Sequence, residues 1–223
     1  MRALLAVAVL LCAGGSAWAQ GARQIKILTI GSSFAANATY YLPRLAEAAG
    51  VKVVVGKANL SGAGLARHAR HLLASMKDRN DPAGRPYEDR DQPGRPKYSL
   101  IEALRSENWD YVTIQQFSGD SGKPETYEPH AGQLIEAIRK HAPKARILVH
   151  QTWAYREDHD WYLSGATTQR KMFEGLKAAY GQLARRYGLG LIPVGEAFQA
   201  ARAAPMWKFK FPDPEFNYRN PPQ

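Results

Sequence analysis

Cysteine is nearly absent: the 223 residues hold one, Cys12. It lies in a stretch read below as a removable leader, so the mature chain is expected to have no disulfide, no thiol nucleophile and no cysteine metal site. Long apolar runs are also scarce. Ala3–Ala13 is the longest, and it is too short to span a bilayer. Acidic residues are outnumbered, with 20 Asp and Glu against 30 Lys and Arg and a formal charge of +10. Such an excess favours nucleic acid, anionic membranes or acidic polymers. The cations are scattered, however (Arg67, Arg70, Lys77, Arg79, Arg85 and Arg90), with no continuous basic arm and no nucleic-acid motif. The charge reads mainly as solubility, with attraction to acidic glycans as the weaker alternative.

The N-terminus carries Arg2, the apolar run, and then Ala17-Trp18-Ala19, which has the small-x-small form of a signal-peptidase site. Cleavage is expected before Gln20. That gives residues 1–19 as signal peptide and 20–223 as one periplasmic or secreted domain with no membrane contact after cleavage. Leu11, before Cys12, does not suit a lipoprotein box, which wants a small residue there. The length is enough for a single α/β domain with a sizeable core.

Gln24–Ala38, QIKILTIGSSFAANA, organises the rest. Ile25, Ile27, Leu28 and Ile30 predict a buried strand that Gly31 stops. Ser32 and Ser33 then occupy the turn, with a helix expected over Thr39–Ala49 and an apolar stripe of Tyr41, Leu42, Leu45 and Ala49. In an open α/β sheet such a turn lies at the carboxyl edge of the strands, where ligands bind. A serine there either presents a nucleophilic hydroxyl or caps the helix. Four more strands are expected at Val51–Ala58, Asp110–Gln116, Ala145–Gln151 and Gly188–Val194. Helices are expected between them at Leu65–Met76, Ser99–Glu107, Pro124–Lys140 and Ser164–Tyr187, with a last one at Gly195–Ala204. Ser99 and Glu102 have the spacing of a capping box. Lys77–Tyr98, rich in Pro, Gly and charge, reads as a short hairpin or a lid. His68 and His71, one turn apart without a third ligand, read as helix-surface residues. His150 reads as a packed histidine. Trp153, Tyr155, Trp161 and Tyr162, interleaved with Arg156, Glu157, Asp158, His159 and Asp160, suit a sugar-binding cleft or, equally, the sealed edge of a core.

Gly31-Ser32-Ser33-Phe34 resembles the first block of the SGNH (GDSL-type) hydrolases, whose nucleophile is the third residue, here Ser33. The likeness runs over Ile25–Val194. It implies a three-layer α/β/α sandwich around a five-stranded parallel sheet. It also implies an oxyanion hole drawing on the Gly62 N–H of Asn59–Gly64, and on an amide at Gln115-Gln116-Phe117-Ser118. Most of these enzymes carry an Asn at the latter place. The Gln-Gln-x-Ser stretch resembles a divergent branch, with Gln116 as the assigned donor and Gln115 in reserve. The function implied is an exported serine esterase that removes acetyl groups from a carbohydrate or small-molecule ester. Trp153, Tyr155 and Trp161 would hold the substrate, and no metal or cofactor is implied. These enzymes supply their base from an Asp-x-x-His block after the fifth strand, and no histidine follows Val194 here. The expectation is that the pair lies downstream of the given sequence. The alternatives are that His159 substitutes, that the protein binds glycans without turnover, or that the serine turn is a flavodoxin-like phosphate site.

Overall fold

The five apolar runs pair in parallel. A computed structural model describes residues 24–89 and 94–203, so the expected leader with Cys12, and the tail beyond 203, lie outside the described residues. The strands are β1 (Gln24–Gly31), β2 (Lys52–Asn59), β3 (Tyr111–Ile114), β4 (Arg146–His150) and β5 (Gly190–Ile192), in the order β2-β1-β3-β4-β5. The helices are α1 (Ser33–Thr39), α2 (Leu42–Ala48), α3 (Leu65–Lys77), α4 (Leu100–Arg105), α5 (His130–His141), α6 (Gln169–Tyr187) and α7 (Val194–Ala203). This is the three-layer α/β/α sandwich expected, with helices on both sides of an all-parallel sheet. Among the described residues no helix is long and apolar enough to cross a membrane.

Alternate strand residues Leu28, Ile30, Val112, Ile114 and Val149 are fully buried, in one cluster with Leu65, Leu72, Leu104, Leu134 and Leu176 of the helices. Each such side chain contributes roughly 1.5–3 kcal/mol on burial, so this layer carries the fold. The opposite sheet face is thinner. Ile25, Ile27, Val53, Tyr111, Leu148 and Ile192 line an apolar hollow of about 340 Å³ beside Leu42 and Ala46 of α2.

Three helix boundaries differ from the sequence reading, each for a local reason. Thr39–Ala49 is not one helix: α1 starts at Ser33 and ends at Thr39, and α2 follows. Pro43 has no N–H to give the Thr39 carbonyl, and its ring would clash with that carbonyl in a continuous helix. Tyr41 and Leu45, expected in the stripe, are exposed. Pro129 likewise precedes the start of α5 at His130, so Pro124–Lys140 is a 3₁₀ turn at Pro124–Thr126 followed by a shorter helix. Gly165 at φ +70° and Thr168, whose hydroxyl accepts the Lys171 N–H, delay α6 to Gln169. The Ser99–Glu102 capping box forms as read.

The described parts of Lys77–Tyr98, residues 77–89 and 94–98, are paired as in a hairpin. Tyr87 and Tyr98 exchange backbone hydrogen bonds of 3.2 and 3.0 Å. Arg85 pairs with Glu102 at 2.7 Å, and the Ala83 carbonyl lies 2.6 Å from His71 Nδ1. Its described residues are thus pinned to α3 and α4 and do not form a free lid.

Candidate active site

At the end of β1 the chain must reverse into α1 over its own strand. A Cβ on Gly31 would stand 3.0 Å from the Cβ atoms of both Ala35 and Gln115, so a larger residue would have to push one of them aside. The next two serines divide the roles the sequence left open. Ser32 is 1 % exposed; its Oγ accepts the Phe34 N–H at 3.3 Å and donates to Gln115 Oε1 at 3.4 Å. It is the helix cap. Ser33 is the first residue of α1 and is exposed.

The end of β2 lies alongside, because Gly31 pairs with Asn59 and the Leu60 N–H donates to the Gly31 carbonyl at 2.9 Å. Gly62 forms the following turn at φ +63°, exposed, in a conformation that glycine alone adopts cheaply. A Cβ on Gly64 would run into Gln116 Oε1. The β2-β1-β3 order therefore sets the segments bearing Ser33, Gly62 and the two glutamines side by side at the carboxyl edge of the sheet.

The glutamines are both buried but differ in what they have left to offer. Gln116 is spent on the scaffold. Its Nε2 donates to the Thr126 carbonyl at 3.2 Å and to Thr126 Oγ1 at 3.0 Å, and its Oε1 accepts the Leu65 and Phe117 N–H groups at 2.9 Å each. Its own N–H donates to the Tyr180 hydroxyl at 3.1 Å. Gln115 accepts from Ser32, and its Nε2 has no partner among the described residues.

His68 is not on the helix surface. It is fully buried, with Nε2 3.1 Å from the Gly31 carbonyl and Nδ1 2.8 Å from the Tyr87 hydroxyl. Burial lowers its pKa to about 4 and pushes the Tyr87 phenol up, so the imidazole is neutral and the phenol protonated near pH 7. The periodicity could have found this: His68 falls between Leu65, Ala69 and Leu72 on the buried stripe of α3.

The loop after β4 reaches back to the serine turn. The Tyr155 ring lies 6.2 Å from Phe34, and its hydroxyl is 2.8 Å from Ser118 Oγ. His159 stacks on Tyr155 at 4.3 Å, and Trp161 lies 5.2 Å from the same ring. The aromatic group read as one cluster is split. Trp161 is exposed, and Tyr155 is buried at its edge. Trp153 is a core residue, between Phe34 at 4.3 Å and Phe198 at 4.4 Å, with no ring face open to a sugar. His150 is packed as read; burial lowers its pKa to about 4, but its Nδ1 has no partner among the described residues.

No imidazole is hydrogen-bonded to the Ser33 hydroxyl among the described residues, which include all six histidines. His159 Nδ1 accepts the Trp161 N–H at 3.1 Å, so the neutral ring carries its proton on Nε2 and has spent its in-plane lone pair on backbone. No cluster of three or more His, Cys, Asp or Glu among the described residues is arranged to hold a metal ion.

Residues 26–211 match a family described as "Domain of unknown function (DUF4886)". A crystal structure of a DUF4886 family protein from Bacteroides uniformis ATCC 8492 is similar at 28% identity, covering 82% of this chain and 72% of that one, with a TM-score of 0.68. A protein from Slackia heliotrinireducens, proposed to be an SGNH hydrolase, is similar at 25% identity, covering 80% of this chain and 83% of its own, with a TM-score of 0.53. No functionally curated protein matches the chain.

Proposed function

Because the chain belongs to the DUF4886 family and folds as SGNH-type hydrolases do, we propose that it is an exported serine esterase acting on acetylated carbohydrate. The observation that carries this is the division of the serine pair. One hydroxyl is buried as the cap, and the next is presented at the sheet edge beside the Gly62 turn. Ser33 Oγ attacks the ester carbonyl carbon and passes its proton to a base. The carbonyl oxygen takes the negative charge, stabilised by the Gly62 N–H and by an amide donor; one such donor is worth roughly 2.7–4 kcal/mol in the transition state. The alcohol leaves with a proton, and water then hydrolyses the acyl-serine. Gln115 replaces Gln116 as the amide in this reading, because its Nε2 is the one without a partner. This reading needs a base within reach of Ser33 Oγ; none of the six histidines, all among the described residues, is hydrogen-bonded to it, and the Nδ1 lone pair of His159 is already engaged. Trp161, exposed beside Tyr155, offers the ring face on which a sugar stacks. The test is hydrolysis of p-nitrophenyl acetate and acetylated xylan by wild type and Ser33→Ala. Loss of turnover on both substrates is expected, and equal rates would remove Ser33 from the mechanism.

A second reading, glycan binding without turnover, is favoured by the lack of an imidazole bonded to Ser33 among the described residues. Titration with acetylated xylan separates the two. Binding that weakens in Trp161→Ala, with no product formed by wild type, would support the binder.

A further inference from the structure

We propose that His68 and Tyr87 are positioning residues that hold the candidate nucleophile turn; the proposal rests on the reading of Ser33 as nucleophile. The Gly31 carbonyl can only accept, so His68 Nε2 must carry the proton of that 3.1 Å contact. Nδ1 is then the acceptor, and the Tyr87 hydroxyl donates to it at 2.8 Å. One tautomer satisfies the chain Tyr87 O–H to Nδ1, Nε2–H to Gly31 carbonyl; the reverse one donates Nδ1–H to the Tyr87 oxygen but sets the Nε2 lone pair against the Gly31 carbonyl oxygen. The Leu60 N–H reaches the same carbonyl at 2.9 Å. The Gly31–Ser32 peptide, two residues ahead of the exposed hydroxyl, is therefore held by two donors from different elements.

This is an expensive way to fill a core position. Both rings are almost wholly buried, at 0 % and 1 % exposure, and a leucine on the buried stripe of α3 would bury apolar surface without desolvating an imidazole. The polar pair supplies direction, which a leucine lacks: it fixes the rotation of a peptide plane. Two neighbouring contacts keep that direction constant. Tyr87 is tied to Tyr98 by paired backbone hydrogen bonds, and the Tyr98 hydroxyl donates to the Lys57 carbonyl on β2 at 2.7 Å. Tyr98, Tyr87 and His68 thereby form a brace from β2 to the end of β1.

The experiment uses the full chain and four variants: Ser33→Ala, His68→Leu, His68→Gln and Tyr87→Phe. With p-nitrophenyl acetate, His68→Leu should lower kcat about 10²-fold, the cost of a small misplacement near the reacting atoms, with KM unchanged. Tyr87→Phe should lower kcat about tenfold by releasing the ring from its Nδ1 hydrogen bond. His68→Gln, which restores an N–H toward the carbonyl, should recover most of the loss. Independently of turnover, ¹⁵N spectra of the imidazole should show the Nε2–H tautomer with a hydrogen-bonded Nδ1 at pH 7 in wild type, and the same tautomer with an unbonded Nδ1 in Tyr87→Phe. A thermal melt confirms that each variant folds. Should His68→Leu melt far below wild type, the tautomer spectra of wild type and Tyr87→Phe decide. If Ser33→Ala abolishes turnover while folded His68→Leu keeps the wild-type kcat, the positioning role falls and the Ser33 reading stands. If Ser33→Ala leaves turnover intact, the nucleophile reading falls first. An Nδ1–H tautomer in wild type overturns the proposal whatever the rates.

Discussion

Ser32 and Ser33 are one atom type in consecutive positions, yet their replacements should act on different quantities. Ser32→Ala removes a cap worth about 1 kcal/mol and strands the Gln115 oxygen it donates to, so a loss of about 2 kcal/mol is expected. Ser33→Ala should leave stability unchanged and remove turnover. Urea unfolding and ester hydrolysis on both variants check this; a destabilised Ser33→Ala would mean that its hydroxyl holds structure. A second residue-level expectation concerns pH. Burial lowers both His68 and His150 from 6.5 to about 4. Between those values the unfolded chain binds protons that the native one does not, so native stability should be full above pH 6.5, fall as pH drops toward 4, and flatten below. Urea midpoints against pH should show that slope, reduced in His68→Gln and in His150→Gln. An unchanged slope in both variants would mean that neither ring is buried neutral. The position of the turn was legible in the sequence because a β-branched run that stops at Gly-Ser-Ser marks a strand end; which serine capped the helix was not. Which glutamine had an N–H to spare was not, because that depends on Thr126, Leu65 and Phe117 arriving from three different segments.

Elements were legible where one period dominated. β1 and β2 are short β-branched runs, and the α4 capping box is a local signal that needs no tertiary partner. Helices containing an internal proline were overextended, since apolar spacing continues through Pro43 and Pro129 although the hydrogen-bond ladder cannot. The fate of Tyr41 and Leu45 was hidden for another reason: a stripe says that a face is apolar and is silent on whether anything covers it. The boundary between α6 and β5 gives a clean test. Gly188 closes α6 at φ +63°, with its N–H on the Ala184 and Arg185 carbonyls and nothing within 4 Å of where a Cβ would sit. Any cost of Gly188→Ala is therefore conformational, about 1–2 kcal/mol, with no change in turnover. Thermal unfolding measures it, and an alanine that costs nothing would mean that the helix end relaxes to another cap.

At the scale of the molecule the two sheet faces are unequal, and this separates stability from the site. One face carries the packed layer of leucines and isoleucines. The other leaves an apolar hollow of about 340 Å³, lined by the amino-terminal halves of β1 and β2, by α2, and by Tyr111, Thr113, Leu148 and Ile192 of the other three strands. The candidate site lies at the opposite, carboxyl end of the same strands. From Ile27 to Gly31 the chain rises about 13 Å at strand geometry, so a side chain added in the hollow does not reach the serine turn. Ala46→Leu projects added methyls among Ile25, Val53 and Tyr111 and should stabilise by roughly 0.5–2 kcal/mol, the usual return for filling a void. Turnover and substrate binding should not move, because no residue of the turn, of Gly62 or of the glutamine pair borders the hollow. Urea unfolding with parallel ester kinetics reads both. A destabilised Ala46→Leu would mean that the hollow does not admit the added methyls without displacing Ile25, Val53 or Tyr111.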